Sequence, residues 1–251
     1  WHEVRRHGLA ARLPESVLDL LHDGHLDFRC THMMQTLHVV IPVFNGWLQT
    51  RRCLDALRNS RYPALRILVV DHGSTDNTAA ALACDYPEVQ RIVGDASLWW
   101  SGATNLGIRA AIADGANTVM LLNNDCYLQP GSVQSMLAHL QKNRRAIIAP
   151  MQLDALSEKI VSVGSWALIY LGFPNLPLRN PNSAQTGLRR IFLIAGGRGA
   201  LIPVEVFREV GLLDEIELPH YYADHDFYLR CRKHGIALYV DTEAVVKVDS
   251  T

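Results

Sequence analysis

The chain has 251 residues, is 49% hydrophobic and carries a formal net charge of -1. That apolar content suffices for one sizeable core, or a core with a small subdomain, and the near-neutral balance supplies no basic field to draw the chain to nucleic acid. No apolar run approaches the length needed to span a bilayer.

Residues 1–36, rich in His and Arg, read as an appendage with one short helix over Pro14 to Leu21. His2 to His7 has one residue too many between Glu3 and His7 for a zinc-protease helix. The start at Trp1 lacks a secretory pattern. Cys30, Cys53, Cys84, Cys126 and Cys231 are scattered and form no CxxC, which suggests reduced, mostly core thiols in a cytosolic protein.

Order is expected from Leu37. Leu37 to Val43 reads as a buried strand, Phe44-Asn45-Gly46 as a turn, and Trp47 to Ser60 as a helix with Trp47, Leu54 and Leu57 on one side. Arg66 to Asp71 is a second strand; Ser74, Thr75 and Asp76 offer caps for a helix to about Cys84. A third strand, Val89 to Val93, precedes a small-residue helix over Gly102 to Gly115. Val119 to Leu122 then runs straight into Asn123, Asn124 and Asp125. Pro130 opens a helix lined by Val133, Met136, Leu137 and Leu140, and Ala146 to Ala149 is a further strand.

Strict alternation with short loops over residues 37–150 predicts an α/β fold, a mostly parallel sheet with helices on both faces. Residues 152–190, with Gly164, Gly172, Pro174, Pro177 and Pro181, break the pattern and suggest loops with a few antiparallel strands, a substrate cover. Ile191 to Ile202 is apolar again, short helices follow over Pro203 to Val210 and Asp224 to His234, and Ala237 to Val240 is a last strand.

Open α/β sheets bind ligands at the carboxyl ends of their strands. A dinucleotide fingerprint is missing after the first strand, which reads Phe44-Asn-Gly-Trp47; there is no P-loop, and no G-x-S-x-G elbow. Asp125 stands where a strand end could hold a hard cation and a phosphate, although Asn-Asn-Asp is also a good turn. Trp99, Trp100, Gly102 and Asn105 form an aromatic–polar turn before a helix whose N-terminus could face phosphate.

Val40-Ile-Pro-Val-Phe-Asn45, Val69-Val-Asp-His-Gly-Ser-Thr-Asp-Asn-Thr78, Leu121-Leu-Asn-Asn-Asp125, Gly199 to Glu215 and Tyr222 to Arg230 occur in that order. Together they resemble glycosyltransferase family 2, inverting enzymes of GT-A fold, and within it the bacterial rhamnosyltransferase-like subgroup. The resemblance covers roughly residues 37–240. It implies a Rossmann-like nucleotide-sugar half over 37–150 and a smaller acceptor half over 151–251. It also implies a nucleoside-diphosphate-sugar donor, dTDP-rhamnose or a UDP-sugar, and a glycan or lipid-linked acceptor in surface polysaccharide synthesis. The location would be cytoplasmic, with peripheral association at the inner membrane face through the acceptor. A nucleotidyltransferase and a non-catalytic sugar-nucleotide binder are the alternatives.

The resemblance assigns Pro42, Phe44, Asn45, Asp71 and His72 to the nucleotide, with His72 in place of a second acidic residue. Asn123-Asn124-Asp125 takes the place of Asp-x-Asp. Asp125 would ligate Mg2+ or Mn2+, Asn123 accepting from ribose or a metal-bound water. Asp224 would be the general base, with Asp226 the other candidate; as a helix opener Asp224 is also a good N-cap. Asp249 or Lys247 would supply a last ligand.

Overall fold

The computed structural model of the protein describes residues 35–168, 173–178 and 187–249. Residues 1–34, with Cys30 and the expected helix over Pro14 to Leu21, lie outside them.

Seven consecutive buried residues make β1 (Leu37–Val43), an apolar run with no exposed face. It is followed by α1 (Trp47–Arg58), β2 (Leu65–Asp71), α2 (Thr78–Asp85) and β3 (Gln90–Val93). Next come α3 (Trp99–Ala113), β4 (Thr118–Leu122), β5 (Cys126–Leu128), α4 (Ser132–Lys142) and β6 (Ala146–Asp154). Short strands β7 (Ile160–Ser162), β8 (Ser165–Leu168), β9 (Phe173–Pro177) and β10 (Leu188–Arg190) occupy the stretch expected to be loops with a few strands. The chain closes with β11 (Arg198–Pro203), α5 (Val204–Val210), α6 (Ala223–Lys233) and β12 (Ala237–Val248).

Successive strand residues point to opposite faces, and each face has its own core. Val40, Leu68 and Val70 pack with Ala103 and Ile108 of α3 and Phe227 and Tyr228 of α6. Val39, Ile41 and Val43 pack with Leu54 and Leu57 of α1 and Met136 and Leu137 of α4. Gly107 sets how closely α3 lies on the sheet: a Cβ there would run into Val40 and come within 2.9 Å of Val70.

The sheet order is β10-β12-β6-β11-β4-β1-β2-β3, with β5 on β12 and β7 on β6. The half expected to be parallel is so: β1 pairs in parallel with both β2 and β4, and β2 with β3. Beyond β4 the sheet becomes mixed, because β11 enters antiparallel between β4 and β6. β8 and β9 form a separate antiparallel pair.

Two elements run longer than the pattern suggests. α3 starts at Trp99, directly after a 3-10 turn over Ala96–Leu98, which puts both tryptophans in its first turn. β12 continues to Val248 through an irregularity between Asp241 and Val245. Asp241 hides that continuation in the sequence: it is buried and polar, and accepts from Ser135 Oγ. Cys53, Cys126 and Cys231 are buried, as expected of core thiols, and Cys84 is exposed.

Candidate functional site

β1 lies between β2 and β4: the chain leaves β1 through α1 to β2 on one side and returns through α3 to β4 on the other, so a crevice opens at the carboxyl ends of these strands. The loops that follow β1 and β2 are tied together. Asn45, at φ 59, accepts at Oδ1 from Thr75 N (2.8 Å) and Asp76 N (3.2 Å), and its own N–H donates to Ser74 Oγ. Asn is among the few residues that adopt such a backbone readily. Asp71 is 1% exposed and accepts from Arg91 Nη2 at 2.7 Å, Arg91 Nε at 2.9 Å and Ser74 N at 2.9 Å. Burial alone would raise its pKa, but the bonds from Ser74 and Arg91 outweigh that and hold the carboxyl below its ordinary value. Asn45 and Asp71 thus commit their side chains to building the turn.

Two adjoining cavities follow. The first, about 530 Å³, is bounded by Pro42, Phe44, His72, Trp99 and Asn124. Phe44 and His72 are neighbouring rings with centroids 5.5 Å apart. Burial lowers the His72 pKa against the opposing charge of Asp71, and His220 adds to the lowering. Asn124 is steadied by a bond from its Nδ2 to Thr50 Oγ1 at 3.0 Å. The second cavity, about 570 Å³, is bounded by Asn123, Arg198, Tyr222, Asp224 and His225. Trp100 and His220 line both. Trp100 Nε1 donates to Asn123 Oδ1 at 3.0 Å and so fixes the side chain at the junction.

Asp224 sits in the first turn of α6 with its side chain 13% exposed. The cap position belongs to Tyr222, at φ 65, and no side chain caps the helix. Asp224 Oδ1 accepts from His225 N at 2.8 Å and faces His225 Nδ1 at 2.9 Å. His225 Nε2 is buried with no partner among the described residues. Asp226 points elsewhere: it takes Arg230 Nε at 2.7 Å, and Arg230 goes on to donate to Val210 O and Leu212 O. Of the two carboxylates, Asp224 is the one among the residues bounding the cavity.

The structure corrects the reading of Gly102 and Asn105. Asn105 is 1% exposed; it donates to Leu213 O and Glu215 Oε2 and accepts from Leu213 N, locking α3 to the loop before α6. Gly102 is buried against Leu98, and Ser101 N in the first turn of α3 already donates to Pro219 O. The helix end expected to face phosphate therefore closes on protein backbone, and its tryptophans are what reach the cavities. Lys247 is paired with Glu158, and Asp249 accepts from Tyr127 Oη and Arg52. Asp125 is half-buried one residue past Asn124, its carbonyl receiving Asp249 N at 3.2 Å. Among the described residues no three His, Cys, Asp or Glu side chains gather as a metal cage.

Arg198, His220 and His225 are cavity residues that the motif comparison does not single out. Arg198 leaves one trace in the sequence, a lone cation between glycines at the head of an apolar strand.

A model of glycosyl transferase family 2 matches residues 38–182, more than half of the chain. The chain is 37% identical over 78 residues to YibD, an uncharacterized glycosyltransferase of Escherichia coli (strain K12), covering 30% of this chain and 22% of that protein. It is 22% identical over 219 residues to the dTDP-rhamnosyl transferase RfbF of Shigella flexneri, covering 83% and 67%. Among solved structures, GalNAc-T7 with UDP, GalNAc and Mn2+ superposes with a TM-score of 0.72 at 16% identity, over 87% of this chain and 44% of that one. S. aureus TarS 1-349 in complex with UDP gives a TM-score of 0.60 at 13% identity, over 85% and 61%. These likenesses show a shared fold, the GT-A fold that the motifs imply. The chain spans only part of these proteins, from 22% of YibD to 67% of RfbF.

Proposed function

The chain belongs to glycosyl transferase family 2, and from that premise we propose that it is an inverting glycosyltransferase. It moves a sugar from a nucleoside-diphosphate donor, dTDP-rhamnose or a UDP-sugar, to a glycan or lipid-linked acceptor in bacterial surface polysaccharide synthesis. The observation that carries the reading is the pair of adjoining cavities, one at the ends of β1, β2 and β4, the other holding Asp224, joined at Trp100 and His220. The likeness to a dTDP-rhamnosyl transferase and to proteins solved with UDP supports the donor class.

In this reading the base and sugar of the nucleoside lie against Phe44, His72 and Asn124, and the transferred sugar lies toward Asn123. The acceptor hydroxyl enters beside Asp224. Its oxygen attacks the anomeric carbon as Asp224 takes its proton. The bond from that carbon to the diphosphate oxygen breaks, and the nucleoside diphosphate leaves with the electron pair. Attack from the face opposite the leaving group inverts the anomeric centre. His225 holds one oxygen of Asp224, which keeps the other oriented for the incoming proton.

Mg2+ or Mn2+ fits as a shared ion and not as one in a protein cage: such ions are commonly held by one or two carboxylates together with substrate phosphates and water. Asp125 would hold it, with Asn123 accepting from a water or the ribose. The ion would supply charge neutralisation at the departing diphosphate. Residues 37–150 serve the donor and 151–251 mainly the acceptor, although Trp100 and Asn123 reach into the Asp224 cavity. Among the described residues no helix is long and apolar enough to cross a membrane. We place the enzyme in the cytoplasm, touching the inner membrane face through its acceptor.

Hydrolysis of a panel of UDP- and dTDP-sugars tests the proposal; turnover of none of them, with no thermal stabilisation by UDP or dTDP, would refute it. The same assay carries a prediction. Asp125→Ala should lose the Mn2+-dependent part of nucleoside-diphosphate binding, a drop of at least about tenfold, by analogy with mutations that disturb metal sites. Circular dichroism should be unchanged. Equal Mn2+-dependent stabilisation of variant and parent would remove Asp125 from the metal role.

A further inference from the structure

Arg198 is a cation in a cavity wall with no carboxylate partner among the described residues. Its one described side-chain bond is from Nη1 to the neutral Oε1 of Gln152 at 3.2 Å, and among the described residues no Asp or Glu lies within ion-pair distance of it. Gln152 is itself held, donating from Nε2 to Ala195 O. A half-buried guanidinium fixed in this way is prepared for an anion that no described residue supplies.

Its backbone says where that anion lies. Arg198 pairs with Leu122, the last residue of β4, and the register then slips between Arg198 and Ala200. The extra residue is Gly199, at φ +90, where a Cβ would stand 3.0 Å from Pro150 Cγ. Such bulges bend a strand and re-aim a side chain, and only glycine sits easily in this one. One residue earlier, Gly197 O accepts from Asn123 N at 3.1 Å. Arg198 is therefore rooted on the tip of the strand that carries Asn123, Asn124 and Asp125.

We infer that Arg198 binds the diphosphate of the donor, sharing with Asp125 the handling of charge on the leaving group. The run Asn123-Asn124-Asp125 brings a single carboxylate, and the guanidinium supplies a permanent positive charge that needs no metal. The inference rests on the transferase reading and adds to it a consequence: part of the discrimination between nucleoside diphosphate and nucleoside survives removal of divalent cations. A planar guanidinium can grip two phosphate oxygens at once, whereas an ammonium acts as a point charge.

The test is calorimetric binding of UDP, UMP and uridine, and of the thymidine series, to the full chain in EDTA and in Mn2+. The parent should prefer the diphosphate over the nucleoside in EDTA. Arg198→Gln should weaken diphosphate binding about 10- to 100-fold, the range for a hydrogen bond to a charged group, with nucleoside affinity unchanged. Arg198→Lys, which keeps the charge and changes least in packing, should fall between, and answers the question if the Gln variant does not fold. A parent that binds no nucleotide overturns the transferase reading together with this inference. A parent that binds both equally in EDTA, or variants that bind the diphosphate like the parent, overturns this inference alone. So does normal diphosphate binding with a raised acceptor KM, which would place an acidic acceptor group at the guanidinium.

Discussion

Asp224→Asn should lower sugar transfer by about 10²- to 10⁴-fold, the usual worth of a general base, with nucleoside-diphosphate affinity unchanged. The amide has nearly the shape of the carboxylate, and its oxygen can still accept from His225 N and Nδ1, which lie 2.8 and 2.9 Å from Asp224 Oδ1. What it cannot do is take a proton. Because Tyr222 occupies the cap position, helix fraying offers no alternative explanation for lost turnover. Asp226→Asn is the control. It weakens a half-exposed i,i+4 pair with Arg230, which is worth about 0.3–0.5 kcal/mol in such settings, so it should cost a little stability and leave transfer largely intact. Transfer rates and UDP or dTDP affinities of both variants decide the matter. Near-parental transfer by Asp224→Asn removes it as the base, and loss confined to Asp226→Asn moves the role there.

The parallel half of the fold was readable because its signals are local. Leu37 to Val43 is apolar throughout, and Asp71 and Asn123 follow their apolar runs directly, so strand ends and the polar residues at them coincide in the sequence. Signals failed where a residue's partner is distant. Asn105 looks like a ligand residue until Leu213 and Glu215 are seen beside it, 108 and 110 positions away. Asp71 could be placed at the right turn, but nothing in its own segment shows that Arg91 satisfies it. Arg198 gains its position from a bulge in β11 against β4, a register relation between strands that meet only in the folded chain. Periodicity is equally silent on which of Asp224 and Asp226 Arg230 takes.

Asp71→Ala should destabilise the protein by about 2–3 kcal/mol, near the low end for breaking a buried ion pair because the Arg91 side chain is 34% exposed and can turn to water. Ser74 N would lose its acceptor at the same time. The pH dependence has a defined sign. The folded-state pKa of Asp71 is depressed, so its contribution is fully present above the ordinary carboxyl value of about 3.9 and is lost as pH falls through the lower folded value. Glu88 and Asp114 are depressed as well, so the variant keeps some acid sensitivity, but its loss of melting temperature between about pH 5 and pH 2 should be shallower than the parent's. Donor binding should weaken too, because Asp71 builds the turn that presents His72 and Ser74, without touching the donor itself in our reading. A double-mutant cycle with Arg91→Ala separates the two effects: the cycle should show coupling in stability, since the double variant leaves no unpaired charge. Equal urea midpoints for parent and Asp71→Ala at pH 7, or the same acid slope in both, would show that the pair does not hold the turn.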